Sequence, residues 1–328
     1  MSTNDGPDQP LDKRGGNVFD VTALRTSLAE LAYGDAIDSQ LVADYRAFYS
    51  LTFPHIAHSH RMFCLRGAQE RLAVQYFLPQ QIRGHVFLCH GYYDHVGLFA
   101  YTVEYLLRQG LAVVTYDQIG HGLSSGAPAT IESFDRYVEA TRVVMSTARK
   151  QLNSAGPWHW VAQSMGGSIV MEYLQQNPPA TGSLGEIVLF APLVRPYAWW
   201  INRWVFRAAR LLVTERPRTL TDNAENEEFH DLQKIDPLQA RVLPVAWVQA
   251  MVDWNKRFEQ YPVSDLAPIL MQGDADRTVD WQYNLKIYAR RYPHSRNCIV
   301  PGGRHHLANE SLQKRDQMWA YLDEHCRW

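Results

Sequence analysis

From His85 onward, short apolar runs alternate with longer stretches whose apolar residues recur at helical spacing. The short runs are His85–Cys89, Leu111–Tyr116, Trp158–Gln163, Ile187–Phe190, Ile269–Met271 and Asn297–Val300. Their length and flanking turn residues predict strands. Helical spacing marks Val96–Arg108, Ile131–Leu152, Met165–Gln176, Trp281–Arg291 and Leu312–His325. Gly110 closes the first of these, and Pro178-Pro179 stops the third. Apolar strands alternating with helices predict an α/β fold, a mostly parallel sheet covered on both faces.

Upstream, Met62–Leu65 and Leu72–Phe77 read as a strand pair split by Gly67. Val21–Tyr33 and Gln40–Tyr49 read as helices, the first with Leu24, Leu28 and Leu31 on one stripe. Residues 1–20 are polar, contain Pro and Gly, and lack an apolar signal core, which predicts a disordered leader. The alternation breaks between Leu193 and Leu266. That stretch is helical in pattern, aromatic and rich in charge, with no obvious strand. Residues 193–266 are therefore expected to form a helical cap, inserted between core segments 21–192 and 267–328. No uninterrupted apolar run approaches the length of a membrane span.

Composition narrows the class. The chain has 328 residues, 46% hydrophobic and 20% charged, with a net charge of −2. This is ordinary for a soluble globular protein, and no basic excess points to nucleic acid. Cys64, Cys89, Cys298 and Cys326 lie far apart with no zinc-type spacing, which favours reduced thiols and a cytoplasmic setting. His55, His58 and His60 lie in an expected loop without an acidic partner, so they read as surface histidines rather than zinc ligands. No metal or cofactor is implied.

The chemistry follows the strands, because ligands in open α/β sheets bind beyond the strands' carboxyl ends. After Trp158–Gln163 comes Ser164-Met165-Gly166-Gly167, opening a helix. A serine among small residues on a strand-to-helix turn is a nucleophile elbow, and the turn aims the Met165 N–H toward a developing oxyanion. After His85–Cys89 comes His90-Gly91-Tyr92-Tyr93-Asp94-His95, where the Tyr92 N–H can face the same point. His90 is expected to shape the turn. After Leu111–Tyr116, the Gly-rich run Asp117–Gly126 lacks the lysine and spacing of a phosphate loop and reads as packing beside the site. After Ile269–Met271 come Asp274 and Asp276, and after Asn297–Val300 come His305 and His306. An acid there can orient a histidine, and a histidine there can take the serine proton. The chain order Ser, Asp, His is that expected of α/β-hydrolases.

Taken together, His90-Gly91-Tyr92, Asp94-His95, Asp117 with Gly120-His121-Gly122, Ser164-Met165-Gly166-Gly167, Ala275-Asp276-Arg277 and Gly303 with His305 resemble the α/β-hydrolase family. The similarity is to its monoacylglycerol lipase and lysophospholipase-like branch, over roughly Gly84 to Glu310. The resemblance implies Ser164 as nucleophile, Asp276 as acid, His305 as base, and an oxyanion hole from the N–H groups of Tyr92 and Met165. The family usually has Gly-His or Gly-Tyr before the serine. Here Ala162-Gln163 stands instead, so Gln163 is a candidate to alter the substrate pocket.

Trp199, Trp200 and Trp204 in the cap are candidate substrate contacts for an acyl chain. Arg203, Arg207 and Arg210 share a helical stripe, which reads either as peripheral contact with an anionic membrane or as solvated charge. The expected activity is hydrolysis of a carboxylic ester with an apolar acyl chain, a small-molecule or lipid ester. Thioester, amide or carbon–carbon bond hydrolysis on the same residues is the alternative within enzymes. A non-catalytic ligand-binding member of the fold is the alternative outside them.

Overall fold

The computed structural model describes residues 19–31, 34–37, 39–154, 156–201, 213–219 and 221–328. The first elements are α1 (Val21–Glu30), β1 (Ala36–Ile37), α2 (Gln40–Phe48), β2 (His58–Gly67), β3 (Glu70–Pro79) and β4 (Gly84–Cys89). Next come α3 (Ala100–Arg108), β5 (Leu111–Tyr116), α4 (Phe134–Gln151), β6 (Trp158–Gln163), α5 (Met165–Gln176) and β7 (Leu184–Phe190). Then follow β8 (Glu215–Pro217), α6 (Glu227–Ile235), β9 (Val242–Pro244), α7 (Val245–Gln260), β10 (Ile269–Gly273), α8 (Trp281–Arg291), β11 (Arg296–Val300) and α9 (Leu312–His325).

Among the described residues the main sheet runs β1-β2-β3-β5-β4-β6-β7-β10-β11. The strands from β5 to β11 pair in parallel, and β1, β2 and β3 join antiparallel at one edge. This is the mostly parallel α/β sheet that the pattern predicted. All six residues of β5 and of β6 are buried, because helices cover both faces. One face packs with α1, α2, α3 and α9, through Leu24, Tyr45, Leu106 and Met318. The other packs with α4, α5, α7 and α8, through Tyr137, Ile169, Trp254 and Tyr288.

Several details differ from the pattern reading. Phe19 is buried against Tyr45, Phe48 and Tyr49, and the Asp20 side chain caps α1, so the last two residues of the expected leader belong to the fold. Residues 1–18 lie outside the described residues. The β2–β3 hairpin is longer than its apolar runs. Polar residues flank them on the strand ends, and Ala68 and Gln69 make the two-residue turn with left-handed φ values of 50° and 66°. His58 and His60 sit on β2 rather than in a loop.

The expected strandless segment contains β8 and β9, which pair with each other antiparallel. Three-residue strands ending at Pro217 and Pro244 leave no alternation to read. The C-terminal half of this segment is fastened to the core. On α7, Trp254 stacks on Phe134 of α4 at 5.2 Å and 16°, and its ring N–H donates to Glu172 of α5 at 3.0 Å. Among the described residues no helix is long and apolar enough to cross a membrane.

Candidate active site

The turn between β6 and α5 fixes Ser164 at φ 53° and ψ −116°, a conformation that costs a non-glycine residue of order 1–3 kcal/mol. The surrounding close packing holds it there. A Cβ on Gly166 would stand 2.3 Å from the Cys89 carbonyl oxygen and 2.6 Å from that of His90. Only glycine lets α5 start this close to the end of β4. Ser164 occupies the N-cap position of α5, yet its hydroxyl caps nothing. It lies 2.9 Å from His305 Nε2 instead.

His305 Nδ1 lies 2.8 Å from Asp276 Oδ2, so the three side chains form one chain of contacts. The other carboxylate oxygen of Asp276 accepts the backbone N–H groups of Thr278 at 2.7 Å and Val279 at 3.1 Å. Gln272 donates to Oδ2 at 3.0 Å. These donors aim the carboxylate at His305. Asp274 points elsewhere, accepting the Gly302 N–H at 2.6 Å from an exposed position. Burial opposes the His305 cation, but the charge of Asp276 and its hydrogen bond outweigh burial and raise His305 above its ordinary value. Burial likewise opposes the Asp276 anion, but the His305 charge and hydrogen bond and the two N–H donors bring it below the usual carboxylate range.

Gly91 lies at the end of β4, where an added Cβ would come within 3.3 Å of Ser164 Cβ. Tyr92 follows it directly, beside the serine. Among the described residues the backbone N–H groups of Tyr92 and Met165 meet no acceptor. The Gly91 N–H donates to Asp94 Oδ2 at 3.2 Å, and Asp94 Oδ1 meets His306 Nε2 at 3.1 Å. His306 thus ties the loop after β11 to the loop after β4. Against the cost of burial, His306, His90 and Arg218 hold Asp94 down to about 2.

His90 accepts the Gln118 N–H at Nε2, 2.8 Å away, and its Nδ1 lies 2.8 Å from the Gly91 carbonyl oxygen. It shapes the turn and stays neutral, with burial pushing it down to about 3. Asp117 accepts the N–H groups of Val96 and Leu123, both at 2.7 Å, so the Gly-rich run packs beside the site.

The remaining sequence candidates fall in different places. Gln163 is fully buried, and its side-chain amide donates to the His305 carbonyl at 2.9 Å. It holds the histidine loop rather than lining a pocket. Trp199 is half-buried against the core, and Trp200 is 70% exposed. Trp204 lies outside the described residues, as do Arg203, Arg207 and Arg210. Trp247 of α7 is the tryptophan that meets the site, stacked on Tyr92 at 3.6 Å and 17°. Sequence reasoning singled out neither Trp247 nor Gln272 as a site residue. The only available signal was that Gln163 and Gln272 both sit at the carboxyl end of a strand, just before a functional loop. Among the described residues no cluster of three or more His, Cys, Asp or Glu side chains could hold a metal ion.

Comparison with known proteins places this geometry in a family. Residues 80–312 match the Hydrolase_4 family model, described as serine aminopeptidase, S33. The chain is 26% identical over 255 residues to the monoacylglycerol lipase of Mycolicibacterium smegmatis, covering 75% of this chain and 88% of that protein. It is 23% identical over 235 residues to the monoglyceride lipase of Homo sapiens, covering 69% and 76%. Among solved structures, a soluble variant of monoglyceride lipase from Saccharomyces cerevisiae, bound to a substrate analog, superposes with a TM-score of 0.69. That match has 17% identity and covers 84% of this chain and 96% of that one.

Proposed function

From a chain that belongs to the Hydrolase_4 family of α/β-hydrolases, and is similar to monoacylglycerol lipases, we propose a serine hydrolase that cleaves a carboxylic ester with an apolar acyl chain. The observation that carries this reading is the contact chain from Ser164 through His305 to Asp276, built on a strained elbow.

In this reading His305 Nε2 takes the Ser164 proton as Oγ attacks the ester carbonyl carbon. The tetrahedral oxyanion is received by the N–H groups of Tyr92 and Met165, an arrangement worth several kcal/mol in the transition state. Asp276 stabilises the His305 imidazolium without itself taking a proton. His305 then protonates the departing alkoxide, and the acyl group remains on Ser164. Water, deprotonated by His305, releases the acid and restores the serine. Residues 193–266 act as a lid. Trp247 supplies apolar contact beside the oxyanion loop, and the exposed Trp200, Ile201 and Val213 favour contact with a lipid surface.

The family description favours one second reading, cleavage of an amide at a free amino terminus. An aminopeptidase needs an anion for the substrate ammonium. The acids nearest the serine, Asp94 and Asp276, are already engaged by His306 and His305. This favours the ester.

A fluorophosphonate probe tests the reading. It should label the wild-type protein at one site and leave Ser164→Ala unlabelled, with hydrolysis of an octanoyl ester lost in parallel. Labelling of another residue, or full activity in Ser164→Ala, rejects the nucleophile. Octanoyl amides and thioesters assayed alongside decide the bond.

A further inference from the structure

The β8–β9 pair carries a group of cations near the proposed oxyanion loop. Arg218 follows β8 and donates its backbone N–H to the Arg241 carbonyl at 2.9 Å. Arg216 lies on β8. The Arg218 guanidinium stands 4.0 Å from the ring centre of Tyr93, and that ring lies 4.1 Å from the ring of Tyr92. A charge at Arg218 therefore sits one residue along from the N–H that would receive the oxyanion.

Among the described residues no carboxylate lies within ion-pair distance of this cation. Its Nη1 donates to the Gln239 side-chain oxygen and, at 3.3 Å, to the Ala240 carbonyl, both neutral acceptors. A guanidinium has five N–H donors. Among the described residues the Nε and Nη2 donors of Arg218 meet no acceptor, and Arg216, Arg218 and Arg241 form no ion pair. The one carboxylate whose charge reaches Arg218 is Asp94, and His306 holds it at 3.1 Å. Burial disfavours the charged form of Arg218, with Asp94 and Tyr93 pulling the other way. A partly desolvated cation met only by an aromatic face, two neutral acceptors and a more distant acid keeps unmet N–H donors, and these match a phosphate or carboxylate.

We propose that Arg218, with Arg216 and Arg241 at the rim, receives an anionic group on the alcohol part of the substrate. The substrate class so named is an acyl ester of a short phosphorylated or carboxylated alcohol, such as an acyl glycerol phosphate. The proposal rests on the reading of Ser164 as nucleophile.

Octanoyl glycerol and octanoyl glycerol phosphate share an acyl chain and differ in charge. Their kcat/KM values, measured below aggregation, should favour the phosphate at least tenfold in the wild-type protein. Arg218→Gln should collapse that ratio toward one, and Arg218→Lys should restore part of it. A double variant at the exposed rim, Arg216→Gln with Arg241→Gln, covers the case in which Arg218→Gln does not fold. It should raise KM for the phosphate ester several-fold and flatten its dependence on salt.

Competition separates the sources of the anion. Inhibition by glycerol phosphate alone assigns the subsite to a headgroup, and inhibition by inorganic phosphate as well assigns it to the phosphate group itself. A wild-type ratio near one, or a ratio that survives both Arg218→Gln and the rim variant, overturns the proposal. If neither ester turns over and fluorophosphonate leaves Ser164 unlabelled, the nucleophile reading has failed and this subsite falls with it.

Discussion

The side-chain amide of Gln163 donates to the backbone carbonyl of His305 at 2.9 Å, so the residue before the serine holds the loop that carries the histidine. Removing the amide leaves a buried carbonyl unpaired, at a cost of about 1–3 kcal/mol. Gln163→Ala should lower both melting temperature and kcat. KM for a soluble ester should change less than kcat, because the defect lies in the aim of His305 rather than in binding. A larger effect on KM would return Gln163 to the substrate pocket.

Asp276, not Asp274, faces His305, and the two are separable by experiment. Asp276→Asn should lower kcat by several orders of magnitude, as expected when a histidine loses the acid that orients it. Asp274→Asn removes a charge but keeps an oxygen that can accept the Gly302 N–H, and it should keep kcat within about tenfold. A reversal of this order in parallel turnover assays would falsify the assignment.

The pH profile has a defined sign. His305 must be neutral to accept the serine proton, and in the folded protein it is raised above its ordinary value. Activity should therefore fall on acidification with a midpoint above about 6.5, the unperturbed value for histidine. Asp276→Asn removes the larger raising influences and leaves the Asp94 charge alone against burial, so the midpoint of the residual activity should move down. An upward move would contradict the account given for His305.

A third buried acid–histidine pair bears on stability. His95 Nε2 meets Asp236 Oδ2 at 2.8 Å, and the Tyr49 hydroxyl donates to Asp236 Oδ1 at 2.6 Å, joining α2, the loop after β4 and the end of α6. Breaking such a pair from one side costs about 3–5 kcal/mol. Asp236→Asn should therefore lower Tm by several degrees. Burial opposes both charges, yet Asp236 brings a net rise to His95 and His95 a net fall to Asp236. The His95 contribution is fully present below about 6.5 and is lost as pH rises through its folded value. The Asp236 contribution is present above about 3.9 and is lost as pH falls through its folded value. The Tm gap between wild type and Asp236→Asn should be widest between those limits and should narrow in mild alkali. A gap that grows steadily with pH would mean the pair is not what the mutation disturbs.

Contact with a lipid surface is tested with Arg203, Arg207 and Arg210. Replacing all three with Gln should weaken binding to anionic liposomes and leave hydrolysis of a soluble ester unchanged. Unchanged liposome binding would leave the three as solvated charge.

Much of this arrangement was legible in the sequence because strand ends in a parallel sheet announce themselves. Ser164, Asp276 and His305 each follow an apolar run, with glycines close by: Gly166 and Gly167 just after the serine, Gly273 before Asp276, and Gly302 and Gly303 before His305. Their convergence needed only the rule that strand ends share one edge of the sheet. Contacts made across the sheet edge had no such signal. That Asp94 meets His306, or that Gln272 meets Asp276, depends on which loops lie side by side. Trp247 was visible as a tryptophan, but its partner Tyr92 is 155 residues away (247 − 92), and no periodicity links them. The β8–β9 pair escaped notice because three-residue strands carry too few positions for alternation.

Glu172 lies one helix beyond the serine, fully buried, and its carboxylate is shared by the Trp254 ring N–H, the Tyr261 hydroxyl at 2.7 Å and the Arg257 guanidinium at 3.0 Å. Lifting α7 away would leave that carboxylate with only the Gln176 amide of its own helix, 2.9 Å away. The tail of residues 193–266 is thus anchored to the core through one buried acid, and Trp247, on the same helix, is held in place against Tyr92.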